Sequence, residues 1–398
     1  MGLLCYVFFV SVSRIEAAIE RAADDAAAER PPAGPDGRPR SRRLAIGDPQ
    51  APLERFFAIL ERHRLLGDDG RLSPAVHLVS MGDHFDWGGR GDRERASTDA
   101  LRLLSWLAAH PSDQVTLILG NHDLGRVGEL VRFDDASFAE ARTEAEAIYF
   151  DGGAEVDPSV EERFRRRHPD LPTAEIAARD FATFSSRQRA LVEALLRARR
   201  FRVALAASER LLLCHAGVTL DDLAALGMST RASSCATDVG AALDDALGSA
   251  LAGWDGGSPL AIPHLHQPGD AAAGEGRGIF YHRPSDPTRE HAHLFAGPPR
   301  RRFDPRRLPK SLVQGIGHIR DNKCRQLLVG WHDGSGASDG PLRHLSTDGR
   351  EVRYARGAPA RWSEDVAGIV FLDGGMAHAP LDRYEIFDLE SGTVAAAL

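Results

Sequence analysis

Cysteine is scarce in this chain: four in 398 residues, at Cys5, Cys214, Cys235 and Cys324, with no CxxC pair. That scarcity argues against a disulfide framework or a zinc knuckle and makes a reducing compartment, the cytoplasm, the expected location. Positive charge is not in excess either. Lys+Arg total 49 against 57 Asp+Glu, a formal net charge of -8, so the whole chain lacks the electrostatic footprint of a binder of nucleic acid duplexes or anionic membranes. Long apolar runs are missing too. The N-terminal MGLLCYVFFVSV, about a dozen residues, is too short to span a bilayer. It also has no basic leader region and no clear cleavage site. A stray strand, a frayed segment or a misplaced start codon is the expectation there. No internal repeat is visible.

What is present fits a globular protein of one large or two ordinary domains, with 43% hydrophobic and 27% charged residues. A helical stretch over 15–29 leads into the linker PPAGPDGRPRSRR, so residues 1–42 are expected to be an N-terminal extension and linker, and 43–398 the main domain. From residue 42 the pattern alternates: apolar strands at 42–48, 74–83 and 114–123, with amphipathic helices at 53–66 and 97–110 between them, the second capped by Ser97 or Thr98. This β-α-β-α-β order predicts an α/β sheet with its ligands at the carboxyl ends of the strands. Residues 134–200 read as a helical insertion, 201–219 as a hairpin and 221–310 as an irregular insertion. Strands are expected again at 311–320 and 367–376, with a hairpin between them. Cys214, inside an apolar strand, is expected to be a packing residue.

The residues just past each apolar run are the informative ones. They are Asp48-Pro49-Gln50, then Gly82-Asp83-His84-Phe85-Asp86, then Gly120-Asn121-His122-Asp123, then His215-Ala216-Gly217, and finally Gly317-His318-Ile319-Arg320. Five strands thus carry Asp, Asp, Asn, His and His to one edge. Carboxylates and neutral imidazoles gathered together repel or go unpaired without a cation. The mixture of oxygen and nitrogen donors suits Mn, Fe or Zn rather than an all-oxygen calcium cage.

In that order, GDxQ, GDxxD, GNHD, HAG and GH resemble the calcineurin-like metallophosphoesterases, and in particular the serine/threonine-phosphatase-like branch with its bacterial relatives. The resemblance runs through most of 43–390 and takes in the closing LDGGM strand at 372–376. It implies a four-layered α/β/β/α sandwich around two divalent metal ions (Mn, Fe or Zn). Carried over, Asp48 and Gln50 would bind the first ion, Asp83 would bridge, and Asn121, His215 and His318 would bind the second. His122 would protonate the leaving oxygen or hold the phosphate, oriented by Asp86 or Asp123; Asp123 could equally cap its turn.

The chain also departs from the family pattern. Gln50 stands where most members have His, and GHIR ends in Arg320 where many have a second His, so the first ion is expected to be held loosely. His84, His264, His266, His282, His291 and His293 are candidates to compensate, although the histidines from 264 to 344 are otherwise expected to be mostly surface groups. Trp87 replaces the phosphate-gripping arginine of the branch and is a stacking or a packing residue. Arg283, then Arg126, are the favoured replacements, with Arg90 and Arg320 behind them; Asn121 is also in reach of phosphate. The resemblance implies hydrolysis of phosphoric esters by water activated between two ions, on a phosphorylated protein or nucleotide. The alternatives are a phosphodiesterase or nucleotide hydrolase of the same fold, and a non-catalytic phospho-ligand or protein-binding scaffold with a decayed first metal site.

Overall fold

The computed structural model of the chain describes residues 2–151, 157–229, 235–288, 300–359 and 361–396. The expected apolar runs are strands of two sheets. β1 (Arg42–Ile46), β2 (Val76–Ser80), β3 (Val115–Ile118) and β4 (Phe201–Arg202) lie parallel in the first sheet. The chain then crosses at Val203 into the second sheet as β5 (Ala204–Ala206) and turns back antiparallel as β6 (Leu211–Cys214). The 201–219 hairpin is therefore real only from β5 onward. β7 (His266–Gln267) and β8 (Arg277–Gly278) pair with each other alone. β9 (Val313–Ile316), β10 (Arg343–Thr347), β11 (Val352–Arg356) and β12 (Ala367–Phe371) complete the second sheet in the order β11-β10-β12-β9-β6-β5. β13 (Phe387–Asp388) and β14 (Thr393–Val394) return to the first, giving β14-β13-β1-β2-β3-β4.

Side-chain alternation explains why the two sheets stack. Ala45, Val79 and Ile118 of the first sheet meet Leu211, Leu213, Val313 and Val370 of the second in one dry cluster. The alternate residues, Leu44, Ile46, Leu78 and Leu117 on one sheet and Leu212, Cys214, Ile316 and Phe371 on the other, face outward into the helices. Each such side chain, fully buried, contributes roughly 1.5–3 kcal/mol. Cys214 is one of them; burial pushes its thiol up to about 12, as befits a packing residue.

The helices are α1 (Gly2–Ala27), α2 (Leu53–Arg62), α3 (Arg93–Ala108), α4 (Asn121–Val127), α5 (Asp135–Tyr149), α6 (Pro158–Arg167), α7 (Ser186–Arg197), α8 (Leu220–Ala225), α9 (Ala236–Gly253) and α10 (Asp321–Leu327), with a π-helical turn at Ile176–Asp180. The layers are mixed α/β: helices outside, two sheets within. Four differences from expectation have plain causes. Helix α1 begins at Gly2 rather than Ile15, and its Ile15, Ala18, Ile19 and Ala22 recur at helical spacing and join the main core. Helix α3 starts at Arg93, so Ser97 and Thr98 lie inside it, and Thr98 bonds back to the Glu94 carbonyl. The 221–310 segment holds the 18-residue α9, whose Ala236, Val239, Gly240, Leu243 and Leu247 make a buried stripe; internal glycines masked it. Helix α7, read as part of the 134–200 insertion, packs Val192, Leu195 and Leu196 into the main core, while α5, α6 and the π turn share a separate cluster around Phe138, Phe164 and Phe181. Among the described residues, no helix is long and apolar enough to cross a membrane.

Candidate active site

Parallel strands point their carboxyl ends the same way, so β1, β2 and β3 bring the loops after Ile46, Ser80 and Ile118 to one rim, and β6, β9 and β12 bring those after Cys214, Ile316 and Phe371 to the facing one. The rims meet closely. A methyl group on Gly317 would lie 1.9 Å from Asp48 Oδ1, and one on Gly47 would lie 2.0 Å from the Leu372 carbonyl and 2.9 Å from Asp373 Cα. Only glycine leaves room at these two crossings. Asp83, Asp86 and His318 take positive φ values of 55°, 65° and 67°, a region costly for residues with a Cβ and often found at functional sites.

Asp83, His215 and His318 each present an atom within 4.8 Å of the others, the group of this kind among the described residues. His215 Nδ1 lies 2.8 Å from the Met81 carbonyl and can only donate there, so in the neutral ring Nε2 carries a lone pair. That lone pair faces Asn121 Oδ1 at 3.1 Å and Asp83 Oδ1 at 3.3 Å, both also acceptors. His318 Nε2 and Asp48 Oδ1 are buried with no hydrogen-bond partner. Asp48 Oδ2 accepts from the His318 amide at 2.8 Å. Acceptors converging without donors are the arrangement a cation satisfies, so these residues fit divalent metal. Burial, then the charges of Arg283 and His215, hold His318 well below its ordinary pKa, in the neutral form a metal ligand needs. A proton on His215 Nε2 can take the place of the cation: Asp83 overcomes burial and raises His215 above its ordinary value, and the His215 and His122 imidazoliums in turn outweigh burial at Asp83 and keep its carboxyl far below the usual range.

Asp373, at the end of β12, was not singled out from the sequence. It is buried, lines the cleft and gives one oxygen to the Gly375 amide at 2.9 Å. Burial, then Asp373, then Asp83 push the Asp48 carboxyl well above its normal value. The signal available in the sequence was the acidic residue closing another apolar strand, hidden because LDGGM also reads as an ordinary turn. Gln50 lines the cleft, and its amide Nε2 donates to the Phe85 carbonyl at 2.7 Å.

The carboxylate beside His122 is Asp86. His122 Nδ1 lies 2.8 Å from Asp86 Oδ2, which also receives Arg126 Nη1 at 2.6 Å, while Asp86 Oδ1 receives the Thr183 amide and hydroxyl at 3.0 and 2.7 Å. Burial disfavours imidazolium, yet Asp83 and Asp86 overcome it and raise His122 to about 9. Asp123 does something else. Its oxygens accept from the Gly120, Asp83 and His84 amides at 2.9, 3.1 and 3.2 Å and from the His84 ring at 3.0 Å, clamping the two loops together. Asp123 is thus a clamp, not the group that orients His122. His84, with its other nitrogen 3.0 Å from Ser80 Oγ, has no position left for metal.

The arginine candidates separate in the same way. Arg126 is fully buried over the Phe85 ring at 4.4 Å and spent on Asp86, Gln188 and Thr183, so it positions Asp86 and does not reach the cleft. Arg90 forks onto Asp151 away from the cleft. Arg283 lines the cleft and forks onto Glu275 at 2.9 and 3.0 Å; Arg320 lines it and bonds Asp339 at 2.8 Å. Trp87 is buried and also borders it. Of the compensating histidines, His264 is exposed, His266 is buried against Tyr281 and His282 lies by Asp222. None of these three borders the cleft, and His266 and the half-buried His282 and His344 depart from the surface placement expected. His291 and His293 lie outside the described residues. His378, on the loop after Met376, does border the cleft. The cleft measures about 570 Å3. A larger hollow of about 1590 Å3 lies between α1, α3 and α7 and is lined by none of the motif residues.

Residues 41–268, more than half of the chain, match the calcineurin-like phosphoesterase family. The chain belongs to that family. Its members are phosphoesterases that use divalent metals. A comparison with curated proteins finds no match. Among solved structures, this phosphoesterase is similar to a cold-active protein-tyrosine phosphatase of a psychrophilic Shewanella species, with 10% identity over 90% of this chain and 81% of the other, at a TM-score of 0.35. It is also similar to a Saccharomyces cerevisiae protein serine/threonine phosphatase, with 14% identity over 52% of this chain and 49% of the other, at a TM-score of 0.25. Likenesses this distant carry no argument about substrate.

Proposed function

We propose that this chain is a phosphomonoesterase working with two divalent ions. The observation that supports it most directly is the convergence of buried acceptors on Asp83: His215 Nε2, Asn121 Oδ1, His318 Nε2 and Asp48 Oδ1, with Asp83 Oδ1 itself taking only the His122 amide at 2.9 Å. Asp83, Asn121, His215 and His318 would hold one ion, and Asp83, Asp48, Gln50 and Asp373 the other. Ions bound there would supply Lewis-acid activation of water and neutralise charge on the phosphoryl oxygens.

The remaining work falls to the chain. His122, with Nδ1–H fixed on Asp86, turns Nε2 toward the centre, 3.8 Å from Asp83 Oδ2. As imidazolium it holds a proton there for the departing alcohol oxygen. Arg126 and Thr183 saturate Asp86 and so fix the angle of the ring. Arg283, already aimed by Glu275, offers its charge to the phosphoryl group beside His318. The test is metal analysis of the purified chain beside a p-nitrophenyl phosphate assay with added manganese. Two ions per chain and manganese-dependent release of nitrophenol are expected; a chain that neither binds metal nor turns over is a scaffold.

A further inference from the structure

In a chain of net charge -8, the cleft is lined by cations as well as by the acids of the proposed centre. Six cations line the cleft: Arg179, Arg283, Arg300, Arg302, Arg320 and Lys323. They arrive on separate stretches, Arg179 on the π turn at 176–180, the next three from the second insertion, and the last two at the start of α10. Four of them are matched by acids. Arg179 bonds Glu175 and Asp180; Arg300 bonds Glu175, Asp180 and Glu275; Arg283 shares Glu275; Arg320 takes Asp339. Arg302 and Lys323 have no ion pair among the described residues, and Arg302 Nε is buried without a hydrogen-bond partner. Burial and the charges of Arg283, Arg302, Arg179 and Arg300 hold the Lys323 ammonium below its ordinary range. The acids offset the repulsion at the four paired cations; Arg302 and Lys323 have no such partner, and an anion between them would supply one.

The scissile phosphoryl group does not account for all six. Arg283 is the one whose charge weighs on His318, at the proposed metal centre; Arg302 lies beside it, because the neighbouring Phe303 amide bonds the Arg283 carbonyl at 3.0 Å, and Lys323 stands exposed at the rim. A cleft of about 570 Å3 is within the size range of small-molecule sites. Resting on the phosphomonoesterase reading above, we infer that Arg302 and Lys323 hold a second phosphate, so that the substrate is a small bisphosphorylated molecule. Hydrolysis would consume one water: its oxygen bonds to phosphorus as one of its protons is lost, the ester P–O bond breaks, and the leaving oxygen takes a proton from His122, giving inorganic phosphate and an alcohol product that still carries the second phosphate on Arg302 and Lys323.

The test compares fructose 1,6-bisphosphate with fructose 6-phosphate on the manganese-loaded full chain. The bisphosphate is expected to lead by at least about tenfold in kcat/KM, and the Arg302→Ala, Lys323→Ala double variant to lose that lead through KM. Arg302→Lys, which keeps the charge, should retain most of it. Calorimetric titration with both sugars keeps the inference readable apart from hydrolysis. Tighter binding of the bisphosphate, lost in the double variant, would sustain the second phosphate site even without turnover, the esterase reading being decided separately by the p-nitrophenyl phosphate assay. Equal kcat/KM or equal binding for the two sugars in the wild type, or a preference that survives the double variant, overturns it.

Discussion

The two halves of the proposed metal centre are made of different atoms. On one side Asn121, His215 and His318 offer an amide oxygen and two imidazole nitrogens around Asp83, and His215, His318 and Asp83 already stand within 4.8 Å of one another. On the other, Asp48, Gln50 and Asp373 offer oxygen only; burial and then Asp373 raise the pKa of Asp48, and burial and Asp83 raise that of Asp373. The first half is preorganised: neutral rings tolerate the gap that an ion would fill. The second is charged against itself and needs the ion to hold its shape. The difference predicts a tight, nitrogen-bound ion and a weaker one, bound by oxygen and better suited to a hard cation such as manganese.

Asp83→Asn strikes both halves at once and is expected to have the largest effect. Metal content should fall below one ion per chain, and kcat/KM for p-nitrophenyl phosphate by about a thousandfold or more. Retention of two ions would refute its shared position. His122→Ala should spare both halves: metal content unchanged, kcat down by about 10²–10⁴. Loss of metal in that variant would place His122 among the ligands. Its pH behaviour has a definite sign. Asp83 and Asp86 raise His122 to about 9 against burial, so the proton needed by the leaving group is present below that value and lost above it. An ion on Asp83 weakens that pull and brings the alkaline limb down from 9. Asp86→Asn, which removes the second carboxylate, should move it further toward neutral; an unmoved limb means that another group titrates.

The strand ends were legible because their chemistry is local. A glycine and an acid or amide directly after an apolar run say both that a strand stops and that its last residues face a common rim. The partners of those residues were not legible. Asp123 directly follows His122 while Asp86 closes a neighbouring strand 36 residues earlier, and only the positive φ at Asp86 and the position of Asp123 over three backbone amides separate an orienting carboxylate from a clamp. Arg126 follows GNHD and is expected to grip phosphate, but one helical turn carries it from His122 down to Asp86, where its Nη1 meets both the carboxylate and the His122 carbonyl. The basic lining of the cleft was illegible for another reason: Arg179 comes from the first insertion and the other five cations are scattered over 283–323 on separate stretches, and a whole-chain charge averages them away.

Asp373→Asn separates the halves. The amide keeps an oxygen for the Gly375 amide but loses the charge beside Asp48. One ion should remain tightly bound and the other should need more manganese, with activity at low metal down about 10–100-fold. Equal weakening of both ions, or of neither, would remove Asp373 from the centre.

Gln50→His sharpens the contrast most gently, because it adds rather than removes. Gln50 now spends its amide nitrogen on the Phe85 carbonyl at 2.7 Å and has an uncharged oxygen as its one possible ligand atom. An imidazole would bring nitrogen into the oxygen-only half, so the weaker ion should tighten by up to about tenfold and its preference should move from manganese toward zinc. At saturating manganese the rate should barely change, since neither His122 nor Asp83 is touched; the gain belongs at limiting metal. Lost bonding to Phe85 would appear instead as a lower Tm in the metal-free protein, which separates a disturbed loop from an improved ligand. If metal titrations of the variant and the wild type superimpose, residue 50 is no ligand, and the weaker ion rests on Asp48, Asp83 and Asp373 alone.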